Sequence, residues 1–275
     1  MMRSRLARDP LALYEASVQG AEFDIDFFER VFRARNGRLP LTLREDFCGT
    51  ASIACAWVAR GAERRATGVD LDPRTLAWCR RHHFTHMGAA ARRVRLARAD
   101  VRRVRAAPVD VVCAMNFSYW VFHTRDTLRG YFRAARRALR PGGVLCVNAF
   151  GGTDAMGPLV ERRRIAASQA ADGGRLPGFT YVWDQVSFNP VDHRLRCDIH
   201  FRLADGTWLR RAFRYDWRMW TLPEIQELMG EAGFRDVEVH VEGWDDARHE
   251  PNGVYRRRTR FETQQAWLAF VVAGR

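Results

Sequence analysis

The chain has 275 residues, of which 47% are hydrophobic and 12% aromatic, enough for one large domain or a domain with a smaller insertion, and this excludes a disulfide-stapled peptide and a disordered tail. All 45 basic residues are arginine, against 32 acidic residues, for a formal net charge of +13. Such charge attracts phosphates and raises the possibility of an RNA partner, but the total absence of lysine points to compositional bias, so that interpretation stays open.

The first half of the chain alternates strands and helices. An apolar segment over 39–43 runs into Glu45 and the turn at Cys48-Gly49-Thr50, and 51–60 has helical character, which predicts strand, tight turn and helix. A second strand over 66–71 is followed by Asp72-Pro73, an N-cap with a first-turn proline. Further strands are predicted over 94–99, 109–115 and 144–150, with a helix over 124–139. This alternation predicts a doubly wound, mainly parallel α/β sheet.

The second half has a different pattern. We expect a helix over 153–171 and antiparallel hairpins over 179–217, with a tight turn at Asp205-Gly206. A capping box at Thr221–Glu224 opens another helix. Two final strands, over 237–241 and 267–272, are separated by a polar, arginine-rich connection.

Acidic and small residues stand at the ends of the first three predicted strands. Parallel sheets bind ligands at these carboxyl ends. Gly49 lets backbone approach a ligand, and Asp70 follows it at the spacing of an acid that accepts from ribose hydroxyls. Asp100, after the third strand, is placed to accept from the amine of adenine. Together these ends predict a nucleoside site.

The kind of nucleoside follows from what the first turn lacks. A dinucleotide site needs glycines around the pyrophosphate, but Phe47 and Ala51 flank this turn. Glu45 would repel a pyrophosphate and would suit an ammonium or sulfonium group. These residues point to S-adenosylmethionine.

Motifs in the same order resemble the class I (Rossmann-like) S-adenosylmethionine-dependent methyltransferases over most of residues 39–150 and 218–273. The family usually has three glycines in its first motif, and Phe47 and Ala51 replace the outer two. The matching segments are Glu45–Ala51, Gly68–Asp72, Ala99–Val101, Val109–Phe122, Leu139–Gly143, Trp220–Glu224 and Glu231–Phe234.

The resemblance implies a seven-stranded sheet of order 3-2-1-4-5-7-6 with an antiparallel last pair. It also implies an N-terminal helical lid over 1–38, a cofactor-binding domain over 39–152 and 218–275, and an inserted helix and antiparallel β substrate cap over 153–217. The cofactor would be S-adenosylmethionine, leaving as S-adenosylhomocysteine. The expected cofactor-binding residues are Tyr14 of the lid, Glu45, Cys48, Gly49, Thr50, Asp70, Leu71, Asp100, Val101, Asn116, Phe117 and Ser118.

The aromatic segment after the fourth strand is the expected acceptor side. Methyl transfer by in-line displacement needs alignment in a dry pocket, and a base only if the nucleophile is protonated. Tyr119 and Trp120 are the predicted substrate-facing residues, with an ordinary pocket wall as the alternative. His123, with Tyr119, is the catalytic candidate, and a capping role beside Thr124 is its alternative.

The remaining histidines and cysteines predict no metal site. His82, His83 and His86 lack a nearby acidic partner in sequence, and the six cysteines form no CxxC pair. The chain has no signal-peptide core and no apolar stretch long enough to span a bilayer, so we expect a cytoplasmic, reduced protein without membrane contact.

The sequence therefore favours a methyltransferase that modifies a nitrogen or oxygen atom of a small molecule, with a homodimer through the inserted sheet. An RNA methyltransferase is one alternative, motivated by the +13 charge. A catalytically silent nucleoside-binding regulator is the other.

Overall fold

The centre of the molecule is an eight-stranded sheet in the computed structural model, which describes residues 5–245 and 250–275. Its strands are β1 (Thr42–Asp46), β2 (Arg65–Asp70), β3 (Val94–Arg98), β4 (Val109–Ala114), β5 (Leu139–Gly151), β12 (Arg235–Asp245), β13 (Glu250–Arg257) and β14 (Trp267–Gly274). They lie in the order β13-β12-β14-β5-β4-β1-β2-β3. β1 to β5 pair in parallel, and β14 is antiparallel to both β5 and β12. The predicted order 3-2-1-4-5-7-6 is confirmed.

The sheet has one strand more than the seven that were predicted. This strand, β13, pairs antiparallel with β12 at the edge of the sheet and lies within the segment that was predicted to be a polar, arginine-rich connection. Its Tyr255 is buried and its ring lies 4.8 Å from that of Phe270. A single buried aromatic residue among exposed arginines anchors this edge strand. Because such a segment has little apolar periodicity, the strand could not be recognised from the sequence.

Helices cover both faces of this sheet. α1 (Pro10–Val18), α2 (Ala21–Asn36), α3 (Ser52–Ala59), α4 (Pro73–His82) and the short α5 (Phe84–Met87) precede β3, α6 (Arg125–Ala138) follows β4, and α7 (Leu222–Glu231) precedes β12. Phe28 of α2 and Trp57 of α3 pack with one face, and Phe132 of α6 and Leu228 of α7 with the other. Two covered faces explain why β4 is buried along its whole length. No described helix has the length and apolar character that crossing a bilayer requires.

The helix starts follow local sequence chemistry. The Asp72 side chain accepts from the Arg74 backbone N–H and Pro73 occupies the first turn of α4. Thr221 and Glu224 form the predicted reciprocal capping box of α7. Both predicted N-termini are confirmed.

A second, antiparallel sheet is inserted after β5. Its strands are β6 (Leu159–Ile165), β9 (Phe179–Phe188), β10 (Arg194–Arg202) and β11 (Trp208–Arg218), in the order β11-β10-β9-β6, and β7 (Ser168–Gln169) and β8 (Arg175–Leu176) form a small ribbon beside it. The predicted hairpins over 179–217 are confirmed, and Gly206 supplies the positive φ of 84° in the β10–β11 turn.

The helix predicted over 153–171 was wrong. A short 3₁₀ turn at Thr153–Met156 is followed by β6, which pairs along its full length with β9, from Leu159 opposite Gln185 to Ile165 opposite Phe179. The open edge of β9 offers backbone hydrogen bonds to an incoming strand, and this tertiary pairing outweighs the local helix propensity.

Candidate functional site

The turn between β1 and α3 keeps a glycine-like backbone although two of its three key residues are not glycine. Phe47, Gly49 and Ala51 have φ of 57°, 52° and 57°, the left-handed region that costs ordinary residues roughly 1–2 kcal/mol. The Cys48 N–H donates to the Val69 carbonyl at 3.0 Å, which ties the turn to β2. The departures from the three-glycine pattern therefore leave the shape of the turn intact.

Two acidic side chains accept from backbone donors of this turn and of the first turn of α3. The Gly49 N–H donates to Asp70 Oδ2 at 2.8 Å, and the Ala54 N–H donates to Glu45 Oε2 at 2.8 Å. Burial raises the pKa of Glu45 well above its usual range. These acids take two of the N–H groups at a helix start where a phosphate would bind, which agrees with a ligand that carries none.

Three of the predicted cofactor-binding side chains around this turn are closed to solvent. The side chains of Cys48 and Thr50 are buried, as is that of Glu45, and burial raises the pKa of the Cys48 thiol. A Cβ built on Gly49 would meet no heavy atom within 4 Å. Any contact of Glu45, Cys48 or Thr50 with a cofactor would therefore run through backbone atoms or a rearrangement.

The ends of β2 and β3 supply an apolar surface between two acids. Asp70 Oδ1 accepts the Asp72 N–H at 2.8 Å, and Leu71 beside it is 66% exposed. Both carboxylate oxygens of Asp100 accept from the Arg102 guanidinium, with its closest nitrogen at 2.7 Å, and this pairing lowers the pKa of Asp100. An exposed leucine, two carboxylates and an open glycine fit an adenosine, whose base is apolar on its faces and whose edge and ribose donate hydrogen bonds.

A buried ion pair between Arg44 and Asp46 holds the loop that follows β3. The Arg44 guanidinium donates to Asp46 at 2.7 Å and to the Val101 carbonyl at 2.6 Å, and Tyr131 Oη donates to Asp46 at 3.1 Å. Val101 itself is buried. This network was not predicted from the sequence, although opposite charges two residues apart on a buried strand share one face and could have indicated it.

A strained turn follows β4 and is braced by β5. Asn116 and Phe117 have φ of 54° and 57°. The Phe117 N–H donates to Asn148 Oδ1 at 3.1 Å, and Ser118 Oγ donates to the Met115 carbonyl at 2.6 Å. Asn148, at the end of β5, was not singled out by sequence because asparagine in a strand has no motif of its own.

The predicted acceptor-facing residues lie inside the core. Tyr119 and Trp120 are fully buried, and Tyr119 Oη donates to the Asn148 carbonyl at 3.0 Å. Neither ring lines the cavity described below, and contact of either residue with a substrate stays a prediction. His123 Nε2 lies 2.9 Å from the Asp216 carbonyl on β11, and its ring does not line the cavity described below. This placement favours a structural role for His123 over that of a base.

The N-terminal helix α1 joins the first turn to the second sheet. Glu15 hydrogen-bonds with the Thr50 hydroxyl and, at 2.7 Å, with His83 Nε2. On the other side Tyr14 packs against Phe213 of β11, with ring centroids 4.9 Å apart, and burial raises the pKa of Tyr14. Tyr14 thus lies in a cavity wall, and its contact with the cofactor stays a prediction.

A cavity of about 410 Å³ lies between the second sheet and the ends of β4 and β5, within the usual size of a small-molecule site. Eight of the 22 described residues that line it are aromatic, and its walls reach the strained turn at Asn116 and Phe117. The principal aromatic residues are Tyr14, Phe150, Tyr181, Trp183, Tyr215 and Trp217.

The tryptophans in and next to the second sheet lie in different environments. Trp183 and Trp217 line the cavity, whereas Trp220 is fully buried and Trp208 is exposed. Aromatic residues occupy alternate positions in two strands, 181 with 183 and 215 with 217. Because alternate residues of a strand share a face, this spacing could have indicated an aromatic wall from the sequence.

The arginine runs lie away from the cavity. Among the described residues that line it, Arg163 is the single arginine. None of the runs at 92–95, 102–105 and 256–258 contributes to the wall, so the net charge says more about composition than about the acceptor.

Comparison with known proteins agrees with this geometry. Residues 46–147 match the family model described as "Methyltransferase domain", and no curated protein sequence matches the chain significantly. The amino pentose methyltransferase CalS10 from Micromonospora echinaspora shares 18% identity, with a TM-score of 0.67 over 96% of this chain and 95% of that one. The sugar N-methyltransferase KedS8 from Streptoalloteichus sp. shares 17%, with a TM-score of 0.65 over 100% and 96%. DesVI from Streptomyces venezuelae shares 15%, with a TM-score of 0.67 over 95% and 94%. At these identities the similarity to solved structures establishes the fold.

Proposed function

We propose that this chain, whose residues 46–147 match the methyltransferase domain model, is a class I, S-adenosylmethionine-dependent enzyme that methylates a nitrogen or oxygen atom of a small-molecule acceptor. The observation that carries the proposal is the aromatic cavity of about 410 Å³ that ends at the turn after β4. A cavity of this size takes a compound of one or two rings.

Under this proposal the strand ends hold the adenosine of the cofactor. Asp70 accepts from the ribose hydroxyls, Asp100 accepts from the adenine amine, and Leu71 packs against the base. Gly49 leaves room for the cofactor beside the first turn. The buried Arg44 network keeps the loop after β3 in place, because its guanidinium holds the Val101 carbonyl.

The residues around the cavity contribute alignment and exclusion of water. The bound cofactor supplies a methyl group on a positively charged sulfur, which needs no further activation. The chain has to hold the acceptor atom in line with that methyl group, and fixed geometry in a dry site provides most of the acceleration. The Asn116–Phe117 turn, where the cavity meets the ends of β4 and β5, is where we place the transfer.

Two comparisons support a small-molecule acceptor. The similar structures of CalS10 and KedS8 are described as amino pentose and sugar N-methyltransferases, and each covers nearly the whole of this chain, including the second sheet. The RNA alternative is disfavoured because Arg163 is the single arginine among the described residues of the cavity wall.

Assembly is part of the same proposal. We infer a homodimer through the outer face of the second sheet, where Val160, Val186 and Trp208 are exposed. Light scattering should give twice the chain mass of 31.7 kDa, and a monomer at micromolar concentration would contradict the dimer. A cytoplasmic location stays a prediction from the sequence.

Calorimetric titration with S-adenosylhomocysteine tests the function. We expect binding to the wild-type chain and at least tenfold weaker binding to Asp70→Ala. Asp72→Asn is the matched control, since asparagine also caps a helix and residue 72 lies outside the proposed ribose contact. Absence of binding would refute the proposal, and steeply salt-dependent binding of RNA would favour the RNA alternative instead.

A further inference from the structure

We propose that the acceptor is an amine, which is attracted into the cavity as its ammonium ion by the carboxylates of Asp154 and Glu161. The ion releases one proton to solvent before transfer, and the lone pair of the free amine then bonds to the methyl group as its bond to the cofactor sulfur breaks. The inference rests on the proposed function and specifies its substrate class. It concerns two residues to which neither the motifs nor the fold assign a role.

The cavity has the opposite charge to the rest of the protein. The chain carries a net charge of +13, yet the charged residues of the cavity wall are Asp154, Glu161 and Arg163, a local net charge of −1. Arg163 already has partners, since its Nη2 donates to the Ser17 carbonyl at 3.0 Å and its guanidinium lies 4.8 Å from the centre of the Tyr181 ring.

The two carboxylates have no such partners. Within residues 5–245 and 250–275, neither the Asp154 nor the Glu161 side chain accepts a hydrogen bond or forms an ion pair, although arginines outnumber acids in this chain. Two acids left unpaired on one cavity wall, in a protein with surplus arginine, leave an excess negative potential there. A cation entering the cavity supplies the missing charge.

Aromatic faces stand beside the carboxylates. Glu161 of β6 lies directly opposite Trp183 of β9 in the strand register, and such cross-strand neighbours are about 5 Å apart. The ring of Trp183 lies beside that of Trp217, which stacks on Tyr215 with ring centroids 4.3 Å apart. Aromatic faces attract cations, so the wall offers an ammonium group both a carboxylate and π surfaces.

A third feature is a polar side chain in the cavity wall. Asn148 is only 7% exposed and lines the cavity. Its Oδ1 accepts from the Phe117 N–H, while its amide nitrogen donates no hydrogen bond to any residue that the structure describes. This nitrogen therefore offers a donor to an oxygen atom of the acceptor or of the cofactor.

This arrangement discriminates between acceptor classes. An acceptor that is itself a carboxylate would be repelled by Asp154 and Glu161. A neutral alcohol would gain only the aromatic contacts. An ammonium ion gains both, and we expect a preference of roughly tenfold over a neutral compound of the same shape.

Benzylammonium and benzyl alcohol are matched probes for this preference, because they share one ring and differ in charge. Each is titrated calorimetrically into the wild-type chain saturated with S-adenosylhomocysteine at neutral pH. We expect benzylammonium to bind about tenfold more tightly. In the double variant Asp154→Asn, Glu161→Gln the preference should vanish while benzyl alcohol binds as before. Glu63→Gln, an exposed acid outside the cavity wall, should bind both probes like the wild type.

The outcomes separate this inference from the proposed function. Binding of S-adenosylhomocysteine without any preference for benzylammonium overturns the amine inference alone, as does a preference that survives in the double variant or no measurable binding of benzylammonium. Failure of S-adenosylhomocysteine to bind removes the proposed function, and the amine inference with it.

Discussion

The hydrogen bond between the Asn148 side chain and the turn after β4 predicts a loss of both stability and cofactor affinity when Asn148 is replaced. The Asn148 side chain is almost entirely buried, and its Oδ1 accepts the Phe117 N–H at 3.1 Å. That turn holds two consecutive residues with positive φ, at 54° and 57°, a conformation that is unfavourable by roughly 1–2 kcal/mol for each L-residue. The turn therefore depends on contacts from outside itself.

Asn148→Ala removes the acceptor and leaves a partly buried N–H unpaired. We expect the free energy of unfolding to fall by about 1–3 kcal/mol, measured by urea denaturation. Because the turn can then relax, S-adenosylhomocysteine should bind at least about tenfold more weakly in calorimetry, a loss of roughly 1.4 kcal/mol. Asn148→Asp, which keeps the acceptor oxygen, should retain more of the turn's stability than alanine.

Asn36→Ala is the matched control. Asn36 Nδ2 donates to the carbonyls of Phe32 and Gly142, each at 3.0 Å, at the opposite end of β5. Its loss should lower stability without changing affinity for S-adenosylhomocysteine. If Asn148→Ala behaved like this control, or like the wild type, the reasoning about the turn would be refuted.

Three further variants test separate parts of the structure. Gly49→Ala, with an unobstructed Cβ and φ of 52°, should be destabilised by only about 1 kcal/mol but should bind S-adenosylhomocysteine at least about tenfold more weakly in calorimetry; unchanged affinity would show that the cofactor lies elsewhere. Gly151→Ala would place a methyl group inside the Trp267 indole, so we expect overpacking of about 1–3 kcal/mol and a lower Tm, and an unaltered Tm would contradict this contact. His83 is paired with Glu15: burial lowers the pKa of His83, but the hydrogen bond and charge of Glu15 outweigh burial and the pKa is raised. The pair therefore stabilises the fold fully below about pH 6 and loses this effect as the pH rises through the raised pKa. His83→Gln should lower the free energy of unfolding by up to about 1 kcal/mol more at low than at high pH, measured by urea denaturation. Equal losses at both pH values would show that the His83–Glu15 pair does not contribute this stability.

Most of the central sheet was predictable from sequence because its signals are local. Apolar runs of strand length alternate with amphipathic helices, and the caps at Asp72 and Thr221 mark helix starts. The handedness of parallel crossovers and the family motifs then restrict the strand order. The acids at the ends of β2 and β3 could be placed for the same reason, since each directly follows a recognisable strand.

The parts that sequence missed depend on contacts between distant segments. β6 is a strand because the edge of β9 receives it, and β13 because Tyr255 packs on Phe270. The burial of Tyr119, whose hydroxyl donates to the Asn148 carbonyl, also depends on a neighbouring strand and could not be predicted from its position after β4. The acceptor cavity combines the end of one sheet with the face of another, and no single segment encodes it.

A crystal structure with S-adenosylhomocysteine tests the central claim most directly, because it places donor and cavity together. We expect the ribose beside Asp70, the adenine between Leu71 and Asp100, and the sulfur directed past Asn116 into the aromatic cavity. A nucleoside bound elsewhere, or a sulfur that points away from Trp183 and Trp217, would contradict the account.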